Sequence, residues 1–153
     1  MKFVVLIALA VFALTNAEEW KRKESDEIKA IRAECLKEAP VSDENIKKMM
    51  NLEFPDEESV RKYVLCTATK MGTFCEKEGF HPDRIAQQFR VDMDEDEFIK
   101  IINDCADKNE QNSSPDVWAF RGHQCIMSGK IGDRVKTYIH EQHKKLQAQK
   151  KEE

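Results

Sequence analysis

The chain has 153 residues, of which 29 are acidic and 25 basic, and its formal net charge is −4 at pH 7. A chain of this length is expected to fold as one domain with a single apolar core. Its acidic balance argues against the electrostatic attraction that draws basic proteins to nucleic acid and anionic lipid, so neither is expected as a partner.

The first 17 residues have the features of a secretory signal peptide. Lys2 precedes an apolar run from Phe3 to Leu14, and small residues at the expected positions predict cleavage after Ala17. An apolar run of this length is too short to span a bilayer as a helix, which argues against a membrane anchor. We therefore predict a secreted domain over residues 18–153, without membrane insertion.

The remaining chain carries apolar residues at helical spacing in successive segments. Helices are predicted over residues 24–39, 42–50, 56–72, 82–89, 94–105 and 114–129, and from Asp133 towards the C-terminus. Residues 73–80 are predicted to form a loop, and about 147–153 a frayed tail. No segment alternates apolar and polar residues as a half-buried strand does. The sequence therefore predicts an all-α fold, a compact bundle of six to seven helices.

The predicted helix over residues 114–129 is expected to lie at the centre of the bundle. Ser114 is a suitable N-cap, Pro115 suits the first helical position, and Gly129 is a common helix end. Its apolar residues spread around much of the helix circumference: Val117, Trp118, Phe120, Cys125, Ile126 and Met127. A helix that is apolar on several sides is usually buried among other helices.

Five cysteines are present, Cys35, Cys66, Cys75, Cys105 and Cys125. In a secreted chain most of them should be paired, but an odd count leaves one over, and counting leaves the pairing open. Four of the five lie in predicted helices, whereas Cys75 lies in the predicted loop. Asn112 begins an N-glycosylation sequon in the polar loop before the central helix.

The cysteine spacing resembles that of the insect pheromone/general odorant-binding proteins, which have six cysteines. With Cys66 as the third cysteine of that pattern and Cys125 as the sixth, the second position falls on Lys62 and the fifth on Asp116. In the family these two cysteines pair with each other. Their joint absence resembles the "minus-C" subgroup, and the resemblance covers nearly the whole mature chain.

This resemblance implies a helical bundle around an apolar cavity that carries small hydrophobic ligands. It also implies the disulfides Cys35–Cys66 and Cys105–Cys125, which leaves Cys75 outside the pattern as a predicted free thiol. With only two bridges, no disulfide ties the first stapled helix pair to the last. The cavity is therefore predicted to be more pliable than in a relative with three bridges.

The cavity lining can be carried over by offset from the cysteines and by helix position. These positions are Ile28, Val64, Ala68, Phe89, Ile102 and Ile126. Trp118 and Met127 are added from the central helix. Tyr63, His123 and Tyr138 are candidates for one hydrogen bond to a ligand head group.

No catalytic or metal-binding constellation emerges from the sequence. His140 and His143 lie three residues apart but lack further ligands at suitable spacing. His123 lies close to Cys125, yet a disulfide-bonded sulfur is no nucleophile. We therefore predict a protein with no cofactor, no metal and no enzymatic activity.

The favoured function is a secreted carrier of odorants, pheromones, fatty acids or similar amphiphiles. It would act in sensillar lymph, haemolymph or another body fluid, with a chemosensory or lipid receptor as a candidate protein partner. The alternative is a secreted interaction or signalling protein whose core is filled by side chains and whose surface docks a receptor.

Two further expectations concern histidines and tryptophans. The four histidines, His81, His123, His140 and His143, can change charge between pH 5 and 8. Protonation of one at the cavity wall could release ligand, unless all four are surface groups. Trp20, near the mature N-terminus, is predicted to be exposed to solvent.

Overall fold

The structure is a computed structural model that describes residues 19–89, 92–138 and 140–141. The predicted signal peptide, the predicted frayed tail and His143 lie outside these residues. None of the helices in the described ranges is long and apolar enough to cross a membrane.

The described residues confirm the predicted helical bundle. Its elements are α1 (Ser25–Glu38), α2 (Asp43–Met50), α3 (Glu58–Lys70), β1 (Phe74–Cys75), β2 (Gly79–Phe80), α4 (Pro82–Gln88), α5 (Glu95–Cys105) and α6 (Pro115–Ser128). A seventh helix, α7, comprises residues 130–138 and 140–141.

The predicted loop over residues 73–80 contains a short antiparallel hairpin. Phe74 pairs with Phe80, and Cys75 pairs with Gly79. Two residues per strand are too few to show an alternating pattern, so the sequence carried no strand signal. Phe74 is buried and contacts Phe80 and Trp118 edge to face, with ring centroids 5.1 and 5.2 Å apart. The hairpin is thereby anchored on α6.

The helix ends match the predictions in part. The side chain of Ser42 accepts a hydrogen bond from the backbone of Asn45 (3.3 Å), and that of Asp94 accepts one from Glu97 (3.0 Å). Ser114 is the N-cap residue of α6, but its side chain makes no capping hydrogen bond. The prediction that the last helix begins at Asp133 is wrong, because helical structure already begins at residue 130.

Helix α6 occupies the centre of the bundle, as predicted. It packs against α3, α5 and β2. Three apolar clusters are found among the described residues, and α6 contributes to each. Phe120 packs with Val60 and Val64 of α3, Trp118 with Phe74 of the hairpin, and Ile126 with residues of α4, α5 and α7, including Ile85, Ile102 and Ile131.

The two disulfides are those that the family resemblance implied. Cys35–Cys66 joins α1 to α3, and Cys105–Cys125 joins α5 to α6. Cys75 forms no disulfide and is half-buried. On the chain-entropy account, each bridge contributes about 3–4 kcal/mol to the free energy of unfolding.

An ion pair joins the two stapled helix pairs. The Nε atom of Arg61 on α3 lies 3.3 Å from the Oδ2 atom of Asp116 on α6, and the two side chains are 23% and 16% exposed. Asp116 stands where the family pattern has its fifth cysteine. Lys62 stands at the position of the second cysteine, and Arg61 immediately precedes it. A charged contact therefore links α3 and α6 near the place where the family resemblance would put a disulfide.

The prediction that Trp20 is exposed is wrong. Its indole Nε1 donates a hydrogen bond to the carbonyl of Met71 (2.9 Å), and the ring covers Gly72. Nearby, the buried side chain of Gln88 accepts a hydrogen bond from the backbone of Lys23 (2.8 Å) and donates one to its carbonyl (3.1 Å). These contacts hold the N-terminal segment against α3 and α4.

The corner between α6 and α7 yields a prediction about stability. A Cβ atom at Gly132 would lie 1.9 Å from the carbonyl oxygen of Met127, and backbone cannot yield as a side chain can. We expect Gly132→Ala to lower the free energy of unfolding by about 3 kcal/mol or more. Unfolding in urea measures the change.

Gly129→Ala is the matched control in the same corner. Its φ is −103°, and the nearest atom to an added Cβ would be 3.6 Å away. We expect a change within about 1 kcal/mol, in the stabilising direction. Equal destabilisation by both substitutions would contradict the tight packing at Gly132.

Candidate ligand site

An open groove lies between the α2–α3 connection and the C-terminal half of α6. Its volume is about 530 Å³, and it is lined by Leu52, Phe54, Arg121, His123, Gln124, Cys125, Met127 and Ser128. The side chain of Gln124 donates a weak hydrogen bond to the carbonyl of Phe54 (3.4 Å), so the two walls are in contact. Of the eight predicted ligand-binding residues, Met127 lies in this groove.

His123 is the polar group that distinguishes the groove. Its ring lies edge to face against Phe54, with centroids 4.4 Å apart. Its Nε2 atom is buried and has no hydrogen-bond partner among the described residues. Leaving a buried polar atom unpaired costs about 1–3 kcal/mol, so such an atom in a native fold marks a place where a partner would be favourable.

Burial lowers the pKa of His123 to about 4. The imidazole is therefore neutral at pH 7, and a neutral ring offers one hydrogen-bond donor and one acceptor. His123 is not a surface group, so the alternative that all four histidines are surface groups is wrong. His140 is exposed on α7 and fits that alternative.

The charged residue in the groove lining is already engaged. Arg121 forms a forked ion pair with the carboxylate of Asp107, in which its Nη2 atom lies 2.8 Å from Oδ1. This hydrogen bonding lowers the pKa of Asp107 and raises that of Arg121. Trp118 donates its indole N–H to the carbonyl of Asp107 (3.0 Å), which holds the polar loop on α6. The groove therefore suits a neutral head group better than an anion.

The other predicted lining residues lie in the packed clusters or at the surface. Val64 belongs to the α3 cluster, Ala68 and Trp118 to the hairpin cluster, and Ile102 and Ile126 to the cluster with Ile85. Ile28 is half-buried on α1. The structure thus divides five of the predicted residues among three clusters around α6, and Ile28 and Phe89 lie outside these clusters.

The prediction that Phe89 faces inward is wrong. The side chain is 40% exposed, because α4 ends at Gln88 and Phe89 has already left helical geometry with φ −111° and ψ 54°. Gln88 is buried at this end of α4 instead. Among the head-group candidates, Tyr138 is exposed, whereas burial raises the pKa of the half-buried Tyr63. His123 is the candidate that reaches the groove.

Sequence reasoning missed Leu52, Phe54 and Gln124 as residues of the groove. Leu52 and Phe54 are apolar residues in a short connector before Pro55. Apolar residues in a connector were the available signal that this segment packs against the bundle. A connector has no periodicity, so the sequence did not show which way these side chains point. Leu52 adopts φ 62°, a left-handed conformation that no sequence pattern at this position announces.

Comparison with known proteins places these features in a family context. The PBP/GOBP family profile matches residues 17–129. General odorant-binding protein 99a of Drosophila melanogaster is 30% identical over 136 residues, which cover 87% of this chain and 95% of that protein. Odorant-binding protein 22 of Aedes aegypti is 28% identical over 127 residues, covering 82% and 91% respectively. Assignment to the minus-C subgroup stays a prediction.

The lowered pKa of His123 predicts a specific dependence of stability on pH. In the unfolded chain the imidazole takes up its proton near its ordinary pKa of about 6.5, whereas in the folded protein it resists protonation down to about 4. Lowering the pH from 6.5 to 4 therefore favours the unfolded state, by at most about 3 kcal/mol. His123→Phe should remove this part of the pH dependence.

Chemical denaturation at several pH values checks the expectation, with His140→Phe as the control on an exposed histidine. The pKa of Asp107 and that of Asp116 are also lowered. The stability that these ionised carboxylates contribute is therefore lost as the pH falls through their lowered pKa values, in wild type and variants alike. An unchanged slope between pH 6.5 and 4 in His123→Phe would contradict the burial of this ring.

Proposed function

Because this chain belongs to the PBP/GOBP family, we propose that it is a secreted, non-enzymatic carrier of a small hydrophobic ligand. The observation that carries the proposal is His123, which lines a groove with Phe54, Leu52 and Met127 and whose buried Nε2 atom is unpaired among the described residues. Such a mixed lining suits an amphiphile: Leu52, Phe54 and Met127 would remove its apolar part from water, and His123 would fix its orientation through a hydrogen bond.

The ligand class follows from the chemistry of the groove. An odorant, pheromone, fatty acid in its protonated form or similar amphiphile would offer one hydrogen bond to His123. Each buried methylene contributes about 0.8 kcal/mol, so a chain of about 12 carbons gains about 10 kcal/mol before the cost of association is subtracted. Affinity in the micromolar range or somewhat tighter suits a carrier that must also release its ligand.

The groove is proposed as the entrance to the ligand space. Ile126 and Met127 are consecutive residues of α6; the first is buried in the core and the second lines the groove. An apolar chain entering past Met127 would meet Ile126 and then Ile102. If the side chains of the three clusters moved further apart, Val64, Ala68 and Trp118 would also contact the ligand. Ile28 and Phe89 would lie at the edge of this ligand space.

A specific observation favours the alternative function, a secreted interaction or signalling protein. The core residues proposed to line the ligand space are packed against neighbouring side chains in three clusters. On that alternative the core stays filled, and the surface docks a chemosensory or lipid receptor. The two functions differ in whether an apolar probe binds.

Probe binding tests the carrier function. Wild-type protein is denatured and refolded to remove endogenous lipid, and a fluorescent fatty-acid probe is titrated in. We expect micromolar binding, with long-chain fatty acids displacing the probe. Met127→Asp should weaken binding at least about tenfold, because it places a charge against the buried ligand chain. Met50→Asp is the control, since Met50 is 71% exposed on α2.

Two outcomes would count against this proposal. If no apolar probe of any length binds the refolded wild-type protein, the carrier function fails and the alternative is favoured. If Met50→Asp weakens binding as much as Met127→Asp, the groove is not the entrance. Where binding is followed by the emission of Trp118 instead of the probe, the protein carries Trp20→Phe, because the partly buried Trp20 would otherwise contribute to the signal.

The head-group assignment has its own test. In wild type, decanol should bind more tightly than decane because its hydroxyl hydrogen-bonds to His123. His123→Phe should reduce that preference by about 3- to 10-fold, the value of one hydrogen bond. Tyr138→Phe should leave the preference unchanged. Loss of the preference in Tyr138→Phe, with retention in His123→Phe, would contradict the assignment.

A further inference from the structure

The hairpin brings together three metal-binding side chains that share no residue with the groove. Cys75 lies at the end of β1, Glu78 in the turn and His81 directly after β2. One potential ligand atom from each lies within 4.8 Å of the others. The Nδ1 atom of His81 is 3.8 Å from the Oε2 atom of Glu78. We propose that these three residues form a binding site for one Zn²⁺ ion.

The strand register explains why the three side chains converge. Phe74 and Phe80 are paired, and their rings contact each other on the buried side of the hairpin. Because side chains alternate along a strand, Cys75 and His81 lie on the opposite side. The backbone N–H of His81 donates a hydrogen bond to the carbonyl of Thr73 (2.9 Å). This bond extends the strand pairing by one residue and fixes the position of the His81 backbone.

The hairpin is a firm support for such a site. Phe74 is 1% exposed and is held between Phe80 and Trp118, so β1 cannot move without disturbing α6. His81 is also the N-cap residue of α4, with its side chain 15% exposed. Glu78 is 73% exposed at the turn and is the most adjustable ligand. Ligands on a fixed support lose little conformational entropy when an ion binds.

The donor set favours zinc. Thiolate, imidazole and carboxylate bind Zn²⁺ at about 2.3, 2.0–2.1 and 2.0–2.2 Å, which puts ligand atoms of a tetrahedral site about 3.3–3.8 Å apart. The His81 Nδ1 and Glu78 Oε2 atoms, 3.8 Å apart, are at that spacing. All three ligand atoms lie within 4.8 Å of one another, and rotation of the Glu78 side chain can draw them together. A thiolate and a carboxylate would neutralise the charge of the ion. Zn²⁺ is also redox-inert, unlike Cu²⁺, which would oxidise the thiol.

Three protein ligands leave a fourth position for water or another ligand. When the ion binds, the Cys75 thiol releases its proton to solvent and the sulfur donates an electron pair to zinc, so no oxidant or reductant is needed. Because the ion binds the folded hairpin, it stabilises the folded protein. The site would also protect from oxidation a cysteine that forms no disulfide.

Zinc binding to the intact secreted protein, with Cys75 kept reduced and both disulfides formed, tests the proposal. Competition with a fluorescent zinc chelator should give one ion per chain at micromolar affinity or tighter. Cys75→Ser and His81→Gln should each weaken binding at least about tenfold. Glu76→Gln on the same hairpin and His140→Gln on α7 are the controls and should bind as wild type does.

Two further readouts separate ligation from loss of folding. Co²⁺ in place of Zn²⁺ should give a thiolate-to-metal charge-transfer band that is absent from Cys75→Ser and present in Glu76→Gln. Zn²⁺ should slow alkylation of Cys75 in wild type but not in His81→Gln. An absence of stoichiometric zinc binding in wild type, or binding unchanged by Cys75→Ser and His81→Gln, would overturn the site.

Discussion

Helix α6 must bury apolar side chains on several of its sides at once, and the rest of the bundle is arranged to satisfy that requirement. Trp118, Phe120 and Ile126 point into three different clusters, each closed by other elements. Gly122 lets Phe80 approach the helix, because a Cβ there would lie 2.4 Å from that ring. The hairpin, α3 and α5 are therefore positioned by one helix, and the groove and the hairpin site both depend on it.

Polar contacts fix the loops and the N-terminal segment against the helices that the apolar clusters hold together. The loop before α6 is fixed by Asp107, which pairs with Arg121 and accepts the indole N–H of Trp118. At the other side of the bundle, Gln88 holds the backbone of Lys23, and Trp20 covers the end of α3. These contacts leave few buried polar atoms without partners among the described residues, which is why the unpaired Nε2 of His123 stands out as functional evidence.

The sequence predicted those features that have a period or a fixed spacing. Helix order and the central place of α6 follow from apolar periodicity, and both disulfides follow from the family resemblance that the cysteine spacing indicates. The strands over residues 74–75 and 79–80 are too short to have a period. The contact of Trp20 with Met71 spans 51 residues of chain, and no local pattern encodes it. The connector residues Leu52 and Phe54 gained their role from tertiary packing, which likewise leaves no local signature.

The Arg61–Asp116 pair gives the joint between the two stapled halves a different character from a disulfide. A disulfide at this place would respond to the redox state of the surrounding fluid and would open only by chemical reaction. An ion pair of partly exposed groups responds to ionic strength and re-forms without catalysis after each opening. The ion pair can thus open and close on the timescale of side-chain motion while Phe120, Val60 and Val64 keep the two helices packed. The salt content of the fluid, rather than its oxidising power, sets how often the pair is open.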